Sequence, residues 1–372
     1  MHPKIIFLFI SMLSINCHGL NNPNNAIKDN NNPNWAERAD TSQLALERYF
    51  WNSSQSIYYS NSDENTDFNY WWQAHALDVL VDGFIRTGNS GYTNKIVLLY
   101  NGIAKRNNGG FINGFYDDMA WMALAMLRAY DNTGVDAYNQ VVHILWNDIK
   151  TGWDSTFGGG IYWQKEPRNF KDVAANATAC ILASRLYIEF SNNEDLEWAK
   201  KIHSWLKATL IDSISGIIWD GIKLQGNEAI VQPQQYTYNY GTYLGACLEL
   251  YKIEKDESYL NEAVKTANIA ENSLETNGIL KDEGGNDGGL FKGIYIRYLV
   301  QLVIEPTLDE SLKNNYKSFL NRNAVSLWDR AKKPGVALFN HDWQAIPVGD
   351  VDLASQLGAM MLLEGEALLE HP

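Results

Sequence analysis

The stretch Asn107-Asn-Gly-Gly-Phe-Ile-Asn-Gly-Phe-Tyr-Asp-Asp-Met-Ala-Trp-Met-Ala-Leu-Ala-Met-Leu-Arg-Ala-Tyr-Asp-Asn-Thr-Gly-Val135 decides the fold. It opens as a long loop of glycines and aromatics. Two adjacent acids, Asp117 and Asp118, follow where a helix begins, and Met119 to Leu127 is almost wholly apolar. A helix that is apolar all round is buried, and acids in its first turn complement its dipole. The exit, Asn132 to Val135, is short and polar. The segment therefore reads as a buried helix entered by a long loop and left by a tight link.

That plan recurs along the chain. Helix-period patterns predict twelve helices, over 40–51, 70–87, 91–106, 116–131, 136–150, 172–191, 194–211, 239–253, 257–275, 288–304, 309–330 and 350–369. Links before odd-numbered helices are short, such as Gly88-Asn-Ser, Asn192-Asn193 and Glu254 to Asp256. Links before even-numbered helices are long and carry Gly, Trp, Tyr, Asn and Asp: Asn107 to Tyr116, Gly152 to Lys171, Ile217 to Tyr238, Gly278 to Asp287 and Lys332 to Gly349. Short links make antiparallel helical hairpins, so all the long links fall at one end. Six hairpins in a closed ring give an all-α (α/α)6 toroid. The even helices form its inner wall, and the odd ones, with charged stretches such as Glu194 to Lys201, form the outer wall. The inner helix starts, with their dipoles and free N–H groups, converge beneath the long loops, where function is expected.

Composition limits the function. The chain has 372 residues, of which 13 are Trp and 20 Tyr, more than a core requires; such rings suit sugar faces because they join an apolar body to a polar tip. A net charge of -14 argues against nucleic acid as a partner. The seven histidines show no metal-ligand spacing, and no metal or cofactor is expected. Cys180 and Cys247 lie in small apolar runs and read as buried thiols, with a disulfide left open.

The N-terminus resembles an export signal. Lys4 precedes an apolar run from Ile5 to Ile15, too short to span a bilayer. Cys17 stands where a lipidated cysteine would, although Leu13 lies one position too early; cleavage after Gly19 is the competing reading. Residues 1–19 are thus expected to be a leader, 20–38 an Asn- and Pro-rich tether, and 39–372 one catalytic domain. The protein is expected outside the cytoplasm as a monomer: at the cell surface or in the periplasm if bacterial and lipidated, otherwise secreted, and touching a membrane only through that lipid.

The chemistry centres on Asp117 and Asp118. Glycosidases need one carboxyl to protonate the leaving oxygen and one to attack or to activate water, and retaining enzymes hold them about 5–5.5 Å apart. Neighbouring Cα atoms lie about 3.8 Å apart, so splayed neighbours reach the retaining separation more readily than the inverting one. Around them, Asn113 and Tyr116 can bind hydroxyls, Trp72 can stack on a sugar while Trp71 packs, or the reverse, and Gln73 beside them is a candidate substrate contact. Tyr236, Tyr238 and Asn239 open another inner helix, with capping as the competing role for Asn239; Asp287 opens a third, where it can equally be a cap. Asp342 and Trp343 occupy the last long loop and are expected to shape one end of the groove, with Trp343 a candidate substrate contact, and Lys292 reads as a structural counter-ion.

The segment from Tyr116 to Tyr130 resembles the Asp-Asp motif of glycoside hydrolase family 76, the endo-α-1,6-mannanases. Trp71-Trp-Gln, Gly158-Gly-Gly-Ile-Tyr-Trp, Trp219-Asp-Gly, Tyr236-Thr-Tyr-Asn-Tyr-Gly and Phe291-Lys-Gly-Ile-Tyr-Ile-Arg-Tyr match in order, from about residue 40 to the end. The ordered set is what is specific. Met122 departs from the pattern, where many members carry a second Trp. The resemblance implies an (α/α)6 barrel, a retaining endo-acting hydrolase of α-1,6-mannan, Asp117 as nucleophile and Asp118 as general acid/base. A transglycosidase would use the same acids, and a surface glycan-binding lipoprotein would share the helices and aromatics but not need the acid pair.

Overall fold

The computed structural model describes residues 34–370. The leader reading, Cys17 and the segment up to Pro33 lie outside the described residues. Twelve helices follow: α1 (Trp35–Phe50), α2 (Tyr70–Thr87), α3 (Ser90–Arg106), α4 (Tyr116–Thr133), α5 (Asp136–Lys150), α6 (Val173–Phe190), α7 (Asn193–Thr209), α8 (Thr237–Glu254), α9 (Glu257–Ser273), α10 (Asp287–Val303), α11 (Glu310–Arg330) and α12 (Leu353–Glu370). Each even helix packs on the next even one, and α12 returns to α2, which closes the inner ring. The odd helices back them from outside, α3 on α2, α5 on α4, α7 on α6 and α9 on α8, while α1 lies on α12 and α11 bridges α10 and α12.

The inner wall follows from composition. Nearly every residue of α6 from Val173 to Leu186 is buried, as is Met119 to Leu127 in α4. Where α10 meets α12 the backbones touch: a Cβ on Gly293 would sit 2.5 Å from the Cα of Gly358, so only glycine fits. Close packing of this kind leaves no room for even one added carbon. None of the described helices is long and apolar enough to cross a membrane.

Two features depart from expectation. Helix α1 starts at Trp35, inside the span read as tether. Asn34 caps it by accepting from the amide of Glu37 at 3.0 Å, and Trp35 is buried beneath the guanidinium of Arg38, which also lies over Trp328. A cap and a buried tryptophan outweigh a polar composition. The long loops also contain short antiparallel strands: β1 (Trp51–Asn52) with β2 (Ile57–Tyr58), β3 (Phe170–Asp172), β4 (Gly221–Gln225) and β5 (Glu228–Gln232) in one sheet, and β6 (Glu275–Thr276) with β7 (Ile279–Leu280). Both described cysteines, Cys180 and Cys247, are free and buried.

At the end of the ring away from the long loops, charge is buried inside the wall. Asp82 of α2 accepts from Arg128 of α4 at 2.6 Å and from Arg297 of α10 at 2.7 Å; Asp78 pairs with the same two arginines. Four groups from three helices thus neutralise one another where an apolar wall was expected.

Candidate active site

The loop before α4 is fastened to the loop before α6. Tyr116 donates its amide to the carbonyl of Trp163 at 2.8 Å, and Lys165 donates its own to Gly114 at 2.8 Å. This places the Trp163 indole against the start of α4, where its N–H reaches Asp117 Oδ2 at 3.0 Å. Asn113 folds over the other acid: its Oδ1 accepts from the amide of Phe115, and its Nδ2 donates to Asp118 Oδ2 at 3.1 Å. The other oxygen of Asp117 is buried with no hydrogen-bond partner among the described residues.

The two acids lie in a cleft of about 560 Å³ over the inner helix starts. Its walls are aromatic, with Trp71, Trp121, Trp163, Phe170, Tyr238 and Phe291, and three further acids join them, Asp172, Asp220 and Asp287. Tyr238 and Phe291 stack at 4.1 Å. Asp172 caps α6 by accepting from the amide of Ala175; Asp220 accepts from Asn239 Nδ2 at 2.9 Å. Asp287 receives two indole N–H groups on one oxygen, from Trp71 at 3.0 Å and Trp72 at 2.9 Å.

Burial is the main cause of the carboxyl energetics. It pushes Asp117 up to about 7, even though backbone amides and Trp163 favour the charged form, and the charge of Asp287 adds to the rise. Asp118 is held well above the usual carboxylate range by burial first, then by the charges of Asp117 and Asp287, with only Asn113 opposing. Asp172 is raised by burial and by Asp117 and Asp220, and Asp220 is raised mainly by burial. Like charges sharing a site hold their first protons tightly. Of the adjacent pair, Asp117 has the donors that stabilise a carboxylate, and Asp118 is the better proton holder.

The residues singled out from sequence divide. Asp117, Asp118, Asn113, Tyr238 and Asp287 line the cleft. Trp72 does not: it is 5% exposed and its indole holds Asp287 from below, whereas Trp71 forms the wall. Consecutive helical residues face different ways, and the sequence did not say which faced in. Gln73 is buried and exchanges both amide hydrogen bonds with the backbone of Tyr58. Tyr116 points its hydroxyl outward to Thr151 and Arg168. Asn239 is buried and acts through Asp220 instead of capping α8, while Tyr236 packs against Tyr238 and Phe291. Trp343 is 1% exposed, packed near the buried Lys292, and so lies within the wall. Trp121, Trp163, Phe170, Asp172, Asp220 and Phe291 were not named as site residues, although Trp121, Trp163, Asp220 and Phe291 stand in the segments that carry the family resemblance. The signal for Asp172 was present: an acid starts α6 as acids start α4 and α10.

Elsewhere, His203, Cys247 and Glu262 bring ligand atoms within 4.8 Å of one another. Glu262 is already engaged by the Tyr243 hydroxyl at 2.5 Å and Lys207 at 2.8 Å, and burial pushes the Cys247 thiol up. The trio is a satisfied interior cluster rather than an open metal site.

A closed ring of helical hairpins with a carboxyl-rich, aromatic-walled cleft at one end defines the class. The profile of glycosyl hydrolase family 76 matches residues 34–372, and the chain belongs to that family. The alpha-1,6-mannanase of that family from Salegentibacter sp. is 41% identical, with a TM-score of 0.88, covering 90% of this chain and 99% of that one. A variant of the same mannanase, described as inactive and carrying asparagine at two consecutive aspartates, was solved with alpha-1,6-mannotriose; it is 40% identical, with a TM-score of 0.88, over 90% of this chain and 99% of that one. The mannan endo-1,6-alpha-mannosidase DCW1 of Saccharomyces cerevisiae is 23% identical over 342 residues, 82% of this chain and 74% of its own length. That of Eremothecium gossypii is 24% identical over 303 residues, 73% of this chain and 64% of its own. Across four such relatives the matched stretch spans 49% to 74% of their length.

Proposed function

We propose that this chain is an exported endo-acting hydrolase of α-1,6-linked mannan that works by double displacement. The observation that carries this reading is the adjacent pair Asp117 and Asp118, one held by carboxylate-stabilising donors and the other raised higher, within an aromatic cleft. The likeness to the Salegentibacter mannanase supports the substrate, and its inactive double-asparagine variant supports the two acids. Asp117 attacks the anomeric carbon as Asp118 gives its proton to the leaving oxygen; Asp118 then takes a proton from the water that releases the mannosyl ester. No step calls for a cofactor. The leader-like run from Ile5 to Ile15 supports export. Incubation with linear α-1,6-mannan should release oligosaccharides of several lengths and lower the polymer's mean size early. Release of mannose alone, or no cleavage, would overturn the endo reading.

The stereochemical course follows from adjacency, which leaves little room for a water between the nucleophile and the anomeric carbon. The first-formed product should keep the α configuration, read by proton NMR in the first minutes. An initial β product would remove Asp117 from the nucleophile role.

The pH profile has a defined sign. Turnover needs Asp117 charged and Asp118 protonated, so activity should fall as pH drops below about 7 and fall again at higher pH as Asp118, held above the usual carboxylate range, loses its proton. Trp163→Phe removes an N–H that favours charged Asp117, which raises that carboxyl further. The acid limb of kcat/KM should therefore move to higher pH in this variant. A limb that stays or moves lower would contradict the assignment.

A further inference from the structure

The cleft does not end at its aromatic wall. Beyond Trp163 and Phe170 lies a second depression of about 450 Å³, floored by the β3–β4–β5 sheet and sharing Trp163, Phe170 and Asp220 with the cleft. Pairing register explains the continuity. Phe170 opposes Lys223 and Asp172 opposes Gly221 across β3 and β4, and Gly221 in turn opposes Gln232 on β5. Because side chains alternate along a strand, Asp172, Phe170, Lys223 and Gln232 share one face of the sheet. The other face is closed: Lys171 is fully buried, with its ammonium on Asp154 and the carbonyls of Thr156 and Gly159, and Ile222 packs beside it. One face thus begins at an acid of the cleft and runs outward in the open.

Gly221 shapes this face. A Cβ there would meet the Phe170 ring at 2.5 Å and the carbonyl of Lys171 at 2.6 Å, so the ring lies across the sheet only because the site is glycine. Past the ring, the lining carries the amides of Asn169, Gln232 and Gln234 and the ammonium of Lys223. Amides donate and accept, as sugar hydroxyls require, and the rings of Trp163 and Phe170 offer apolar faces for pyranose C–H groups. Two separate long loops, before α6 and before α8, are ordered into this sheet. Long ordered loops of this kind usually serve binding.

We propose that the open face of the β3–β4–β5 sheet is a distal subsite for neutral 1,6-linked mannosyl units of the same polymer whose bond is broken in the cleft. This rests on the mannanase reading. The subsite holds the chain several units from the acids, so it strengthens binding of long substrates and leaves the shortest ones untouched.

The experiment compares the unaltered protein with a Lys223→Ala, Gln232→Ala double variant, on linear α-1,6-mannan and on the shortest α-1,6-mannooligosaccharide that the unaltered protein cleaves. Both residues lie away from the acids, and thermal unfolding checks that the fold is intact. KM for the polymer should rise about tenfold, the loss expected of one or two hydrogen bonds. kcat on the polymer and kcat/KM on the short substrate should stay unchanged. An unchanged polymer KM, or an equal loss on both substrates, would overturn the subsite. Failure of the unaltered protein to cleave any α-1,6-mannan is a separate outcome, which removes the mannanase reading and the subsite with it.

Discussion

Asp117→Asn is expected to leave a folded protein with almost no turnover of α-1,6-mannan, because an amide cannot form the mannosyl ester. Asp118→Asn is expected to lose roughly a hundred- to ten-thousand-fold in kcat, the usual share of general acid–base catalysis. The two variants separate when the leaving group needs no proton. With a dinitrophenyl α-mannoside extended by one or more 1,6-linked units, the Asp118 variant should recover formation of the mannosyl ester, seen as a burst of dinitrophenolate. The Asp117 variant should show no burst. Both variants should melt near the unaltered protein or slightly above it, since each removes a carboxyl that burial already disfavours in its charged form. A burst from the Asp117 variant would reverse the roles. Near-normal turnover of mannan by either variant would end the assignment of both.

The second large effect is expected far from the chemistry. Asp82→Ala removes the shared partner of Arg128 and Arg297, whose side chains are 20% and 14% exposed. Breaking a buried pair strands the opposite charge, and costs of about 3–5 kcal/mol are usual. For a ring of this size that corresponds to a fall in Tm of about four to seven degrees. Asp82→Asn keeps the shape but not the charge and should fall between. Asp82 lies twelve residues along α2 from Tyr70, about 18 Å from the cleft end at 1.5 Å per residue. Activity per folded molecule well below the transition should therefore be unchanged. A Tm within about two degrees of the unaltered protein would show that Asp78 alone neutralises both arginines.

The ring was legible because link length alternates and because the inner helices differ from the outer ones in composition. Those are signals of period and of solvent, and they survive without knowledge of contacts. The acid pair was legible for a related reason: Asp117 and Asp118 stand at the junction of a glycine-rich loop and an apolar helix. The remainder depended on direction. Trp71 and Trp72 are neighbours in sequence, yet one walls the cleft while the other hides beneath it. Trp343 sits in a loop, where exposure is the ordinary expectation, but is covered by its surroundings. The β3–β4–β5 sheet joins segments about fifty residues apart, and strands of three to five residues leave too little alternation to read. Trp163 reaches Asp117 only because its loop is stitched to another by two backbone hydrogen bonds. Pairings between distant loops have no periodic trace.

The ring also has two unlike poles. The acids lie where the inner helices begin, whereas α12 ends at Glu370, whose carboxylate accepts the amide of Trp35 at 3.0 Å. Helix α1 therefore starts on the pole opposite the cleft, separated from it by the eighteen residues of α12, about 27 Å of helix. Asn34, the first described residue, therefore lies on that far side. A label or fusion placed at Asn34 is thus about 27 Å of helix away from the acids and leaves the mouth of the cleft uncovered by α1.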